Sequence, residues 1–170
     1  MKLSAGLGGV LGLIVFACAA PACAEQPTLS GPASVHGADL LSIDGQRIFL
    51  WGVDAPEPGQ FCKLNGRDWA CYDASLRQLE TLASRSDMTC YLMGEPDPFG
   101  RHHGVCEVAG EDINAEMVRS GMALAYPEQS NDYVDEQAEA IAAGVGLWQV
   151  GIEFLEPWVY RSLATDSTNR

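Results

Sequence analysis

Two carboxylates stand three residues apart in Val53-Asp54-Ala55-Pro56-Glu57, at the end of an apolar run. Oxygen donors at that spacing suit the rim of a metal site. Upstream, Gln46-Arg47-Ile48-Phe49-Leu50-Trp51-Gly52 alternates polar and apolar residues before turning apolar, which is the pattern of a half-buried strand. Pro56 biases Ala55 toward an extended conformation, so the chain is expected to leave its sheet there and to present Asp54 and Glu57 on a loop.

The elements that must position this loop follow from periodicity and turn chemistry. Ser34 to Ile43 and Gln46 to Val53 read as strands joined by Asp44-Gly45, a two-residue hairpin signal. Asp68 to Arg85 reads as a helix, with Trp69, Tyr72, Leu76, Leu79 and Ala83 at helical spacing. A second hairpin, Met88 to Met93 and His102 to Ala109, turns at Asp97-Pro98-Phe99-Gly100, whose Asp, Pro and Gly stand where a type I turn prefers them. A short helix begins at Asp112 or Ile113, with Asp112 as its cap and Gly121 as its stop. A last helix, from 131 or 132 to Gly144, is expected to bury Val134, Ala138, Ile141 and Val145. Hairpin, helix, hairpin and then two helices make an α+β order, not alternating parallel units.

Residues 1–24 read as an export signal: Lys2, a short apolar core from Leu7 to Ala20, and Ala22-Cys23-Ala24 as a cleavage site. The surroundings of Cys18 and Cys23 match a lipidation box poorly, and the mature chain is expected to carry no membrane span. The destination is then the periplasm or the extracellular space. In an oxidising compartment the remaining Cys62, Cys71, Cys90 and Cys106 suggest two disulfides. Of the three connectivities, local geometry favours Cys62–Cys71 and Cys90–Cys106, the second pair lying nearly symmetrically about the Asp97-Gly100 turn. A four-thiolate zinc site would need short paired spacings that are absent.

One domain is expected over 34–162, between an N-terminal tail at 25–33 and a C-terminal tail at 163–170. The chain carries 10 Lys and Arg against 23 Asp and Glu, a formal net charge of −13, and loss of residues 1–24 removes only Lys2. Such an acidic surface repels phosphate backbones at long range and argues against a high-affinity nucleic-acid binder, although a local basic cleft remains compatible with it. No dimer signature is visible, and the chain is read as a monomer.

The Val53–Glu57 segment, Asp97-Pro98-Phe99-Gly100-Arg101, Gly144-Val145-Gly146-Leu147-Trp148 and Pro157-Trp158 occur in the order of the staphylococcal-nuclease-like (thermonuclease) family, which the chain resembles from about Val35 to Arg161. The resemblance implies a five-stranded OB-like β-barrel with three helices and a Ca²⁺-dependent phosphodiesterase acting on single-stranded or denatured nucleic acid. It implies Asp39 and Asp54 as cation ligands with the Ala55 carbonyl, Glu57 beside the attacking water, and Arg101 beside the leaving group. Asp39 holds its place in a gapless match, fifteen residues ahead of Asp54; a hairpin one residue longer would put Ala38 there. Phe49 stands where the family carries a second arginine. Arg47, two residues earlier on the same strand face, is a candidate substitute, and at most one of His102 and His103 faces the site. Two functions stay open: an exported nuclease weakened by Phe49, and a non-catalytic barrel that binds a protein, a polyanion or an envelope polysaccharide.

Overall fold

The computed structural model of the chain describes residues 26–168, so the export signal read at 1–24 lies outside it. Its strands and helices, in chain order, are β1 (Thr28–Gly31), β2 (Ala33–Val35), β3 (Leu40–Ile43), β4 (Gln46–Leu50), β5 (Val53–Asp54), β6 (Cys62–Leu64), β7 (Arg67–Trp69), α1 (Cys71–Ala83), β8 (Met88–Leu92), β9 (His102–Val108), β10 (Glu111–Asp112), α2 (Ile113–Arg119), β11 (Leu124–Ala125), α3 (Val134–Ala143), β12 (Ile152–Glu153) and α4 (Pro157–Thr168). A 3₁₀ turn at Gly146–Trp148 separates α3 from β12.

The main sheet runs in the order β1-β8-β9-β4-β3-β2, with β10 added on β9. β1 and β2 are two halves of one strand, broken at Pro32, which has no N–H to donate to a ladder. The first half pairs with β8 and the second with β3, and this exchange of partners nearly closes the sheet into an OB-like barrel of five strand paths. Within the stretch expected as a tail at 25–33, Thr28–Gly31 is instead a strand that supplies the closing edge. The strand expected over 34–43 is interrupted at His36 to Asp39, where the His36 and Gly37 N–H groups both donate to the Leu40 carbonyl, at 2.8 and 3.0 Å.

Local chemistry explains the corners. Asp44 and Gly45 both take positive φ, 49° and 77°, as the two central positions of a type I′ hairpin require. Asn65 and Gly66 repeat that turn between β6 and β7, so the start of the helix expected at Asp68 is instead a short strand, and α1 begins at Cys71. Asp112 caps α2 by accepting from the Ala115 N–H at 3.0 Å. Gly121 and Gly146 lie back to back, and a Cβ on Gly146 would come within 2.3 Å of the Gly121 carbonyl oxygen. The Gly-x-Gly-Leu-Trp motif is thus a packing device.

Leu41, Ile43, Ile48, Leu50, Leu79, Leu82, Met88 and Ile113 fill the barrel, and a second small core gathers Leu124, Leu147, Trp69, Trp148 and Trp158 around Cys62 and Cys71. α3 buries Tyr133, just before it, and Ala140, while Val134 and Ile141 are 40% and 50% exposed, contrary to the expected face. Its inner side is partly polar because the Gln137 side chain accepts from the Ala125 N–H, satisfying an edge of β11. The described residues form four α-helices where three were expected: α4 (Pro157–Thr168) runs into the stretch expected as a C-terminal tail at 163–170. No helix among the described residues is long and apolar enough to cross a membrane.

Both disulfides form as expected, Cys62–Cys71 and Cys90–Cys106, with sequence separations of 9 and 16. In the loop-closure account, bridges of these spans each stabilise the fold by about 3 kcal/mol. Urea unfolding with and without reductant is expected to show a loss of that size per bridge. An unchanged midpoint in reductant, or thiols titrating at these four positions in the unreduced, denatured chain, would contradict it.

Candidate active site

The corner between β4 and β5 aims the carboxylates. Gly52 turns there with φ 71°, and its face lies against the Tyr133 ring, where a Cβ would meet ring carbons at 3.1 Å. Its N–H donates to the Gln129 side chain at 2.6 Å and its carbonyl accepts from the Tyr126 N–H at 2.9 Å. The fully buried Asn114 donates to the Trp51 and Gly104 carbonyls and accepts from the Cys106 N–H, tying the same corner to β9. β5 then pairs with β11, placing Asp54, 4% exposed, at the wall of a cleft of about 380 Å³. Glu57 follows on the loop, its N–H held by the side chain of the buried Gln60 at 2.9 Å.

Asp39 lines the same cleft from the turn before β3, and the Leu50 N–H donates to its backbone carbonyl at 2.9 Å. Ala38 points into the barrel core, 3% exposed. The Asp39 carboxyl is pushed up to a pKa of about 7, first by burial and then by the nearby Asp54 and Glu57 charges; a hydrogen bond from the Ala55 N–H only partly offsets this.

Parallel pairing of β4 with β9 sets Phe49 opposite His103, so the turn at 97–100 delivers Arg101 to the cleft rim. Asp97 accepts from the Phe99 and Arg101 N–H groups, and its carboxylate holds the Arg101 side chain through Nε at 2.7 Å and Nη2 at 2.6 Å. Those bonds draw the Asp97 pKa down to about 2. The Arg101 guanidinium lies 4.9 Å from the Phe49 ring centre and 5.1 Å from that of Phe99. Phe49 is therefore an apolar wall beside Arg101, stacked on His103 at 5.8 Å. His103 lines the cleft, with burial lowering its pKa, whereas His102 bonds Gln46 outside it. Arg47 is exposed, opposite Ser42, and does not line the cleft. Two residues of strand rise carry Arg47 toward the hairpin end and away from the site.

A different arginine is there. Arg161, on α4, grips Asp54 with two parallel bonds, Nη1 to Oδ1 at 2.8 Å and Nη2 to Oδ2 at 2.7 Å, and Nη1 also contacts Glu57. The two carboxylates raise its pKa further, so it remains charged. Three attachments seat α4: Trp158 packs on Tyr126 at 5.4 Å, Gln60 donates to the Leu155 carbonyl at 2.7 Å, and β12, just ahead of the helix, pairs with β6 beside the Cys62–Cys71 bridge. The sequence reading missed Arg161. The available signal was Pro157 at a first helical position, which puts Arg161 a turn later on the side of Trp158.

Asp39, Asp54 and Glu57 supply hard carboxylate oxygens, and the Ala55 N–H and the Arg161 charge only partly offset the burial and negative potential that Asp39 feels. That donor set fits a hard divalent cation with water completing its shell, on condition that Arg161 gives up Asp54. Among the described residues, no three His, Cys, Asp or Glu side chains already form a cage for one.

The pattern of the staphylococcal nuclease homologue family matches residues 47–150, which include Asp54, Glu57 and Arg101, and the chain belongs to that family. It is 35% identical over 130 residues to the succinoglycan biosynthesis protein ExoI of Rhizobium meliloti (strain 1021), covering 74% of this chain and 67% of the relative. It is 30% identical over 144 residues to a micrococcal nuclease of Shigella flexneri, covering 76% of each, and 28% identical over 134 residues to an uncharacterized endonuclease of Haemophilus influenzae, covering 75% of this chain and 70% of the relative. Asp39 and Arg161 both lie outside the matched span 47–150.

Proposed function

We propose that this protein is an exported phosphodiesterase that hydrolyses single-stranded or denatured nucleic acid with Ca²⁺. The observation that carries the reading is the convergence of Asp39, Asp54, Glu57 and two arginines on one cleft, from four separate segments of chain. Asp39, Asp54 and the Ala55 carbonyl would hold the cation, which supplies polarisation of a phosphoryl oxygen. Glu57 accepts a proton from water as the water oxygen bonds to phosphorus. The opposite phosphorus–oxygen ester bond breaks with its electron pair leaving on oxygen, which takes a proton from solvent. Arg101, fixed by Asp97, faces the charge that gathers on the phosphoryl group without having to be reoriented. Export agrees with the two disulfides.

A second reading, a non-catalytic module for a partner or an envelope polysaccharide, draws on Phe49 at an arginine's place and on a relative named for succinoglycan biosynthesis. Calcium separates the two. At a hundred times its Kd, a ligand bound only by the folded state adds about 2.7 kcal/mol of stability. Millimolar calcium is therefore expected to raise Tm by several degrees in the parent protein and not in Asp54→Asn. A Tm unmoved by calcium in the parent favours the binding module.

A further inference from the structure

We propose that Arg161 is the second phosphate-contacting arginine of this site, delivered by α4 in place of the side chain missing at Phe49. The inference rests on the phosphodiesterase reading above. A guanidinium that bridges two carboxylate oxygens in parallel has the fork geometry that also fits two phosphoryl oxygens. Arg161 already lines the cleft with Phe49 and Arg101, and its side chain is 44% exposed, so it can turn toward a substrate without unfolding its helix. The cleft, about 380 Å³, is within the range of small-ligand sites and admits a phosphate with part of its nucleoside.

The resting partners of Arg161 define how it is used. It holds Asp54, a residue that cation binding also requires, so the guanidinium and a cation compete for the same carboxylate. Loss of Asp54 leaves Arg161 with Glu57 and an open face toward the cleft. A phosphate there replaces the surrendered carboxylate, and as water adds to phosphorus the developing charge on the nonbridging oxygens falls to Arg161 and Arg101 together. The small core around Cys62–Cys71 and the Gln60 bond to Leu155 keep the helix in place while the side chain changes partner.

A purely structural arginine would tie α4 to the barrel and would affect stability alone. The test compares parent, Arg161→Ala, Arg161→Lys and the double variant Phe49→Arg/Arg161→Ala, each checked for folding by near-UV circular dichroism. Two quantities are read: kcat on a single-stranded oligonucleotide with calcium, and the Kd for a nucleoside 3′,5′-bisphosphate by calorimetry. Removing one preorganised donor costs about 100- to 1,000-fold in kcat. Arg161→Ala is expected to lose that much, Arg161→Lys to lose at least tenfold, and the double variant to regain tenfold or more over Arg161→Ala. The bisphosphate Kd is expected to rise at least tenfold in Arg161→Ala. If Arg161→Ala does not fold, the lysine variant, which keeps the charge, decides by the same two readouts. An active parent whose kcat and Kd are unchanged by these substitutions overturns the proposal and leaves the phosphodiesterase reading standing, as does a loss in Arg161→Ala that the double variant does not relieve. A parent with no hydrolysis overturns the phosphodiesterase reading; a bisphosphate Kd that still depends on Arg161 would then preserve the phosphate contact.

Discussion

Asp54→Asn is expected to lower phosphodiester hydrolysis by on the order of 1,000-fold or more, about 4 kcal/mol of barrier. The residue has two tasks, and the amide fails at both. It offers a cation one neutral oxygen where two anionic ones stood, and it meets the Arg161 fork with an NH₂ group on one side, replacing an acceptor by a donor. The structural consequence is smaller, because Arg161 is partly solvated and can keep Glu57. Loss of such a pair costs about 1 kcal/mol, somewhat more where one partner is buried. A kcat measurement beside a thermal melt therefore separates the effects: activity collapses while Tm moves by a few degrees. Retention of even a tenth of the parent rate would show that Asp54 is not a participant.

Asp39→Asn is expected to stabilise the metal-free protein at pH 8 by up to about 4 kcal/mol, since a rise of about three units is worth 1.36 kcal/mol per unit. The sign follows from linkage. The folded carboxyl takes a proton with a pKa of about 7 and the unfolded one near the ordinary aspartate value of 3.8, so between these limits the folded state holds a proton that the unfolded state has released. The Asp39 contribution therefore favours the folded state most below about pH 4, weakens as pH rises toward 7, and levels off above it. The asparagine variant lacks this descent, matching the parent at pH 4 and exceeding it at pH 8. Urea unfolding at both pH values in chelator checks the expectation, and equal stabilities at pH 8 would mean that Asp39 carries no such burden.

How the sequence disclosed this protein depended on whether a signal was local. Asp44-Gly45, the Asp112 cap and the Asp97–Gly100 turn are short-range chemistry, and each does what its residues dictate. The Cys90–Cys106 pair was legible because the two arms of a hairpin must face each other, as these residues do in register. Thr28–Gly31 was not legible, because a four-residue strand before a proline resembles a tail until β8 is present to pair with it. The β6–β7 hairpin was hidden by strands of three residues, too short to show alternation. The buried side of α3 was misread because Gln137 faces inward to satisfy a strand edge, a demand that hydrophobic periodicity does not register. Among the site residues, Asp54, Glu57 and Arg101 stood next to recognisable turns, whereas Arg161 reaches Asp54 across 107 positions and depends on a disulfide, a second core and Gln60 to do so. Arg47 attracted attention for the opposite reason: it is near in sequence and distant from the cleft.

The nuclease reading is tested most directly by release of acid-soluble nucleotides from denatured DNA by the purified, oxidised chain 25–170. Release is expected in millimolar calcium, is expected to stop when calcium is chelated, and is expected to fall by about 100-fold or more in a folded Glu57→Gln variant, which cannot take the proton from water. A folded parent protein that releases no more than the Glu57→Gln variant at any calcium concentration would contradict it.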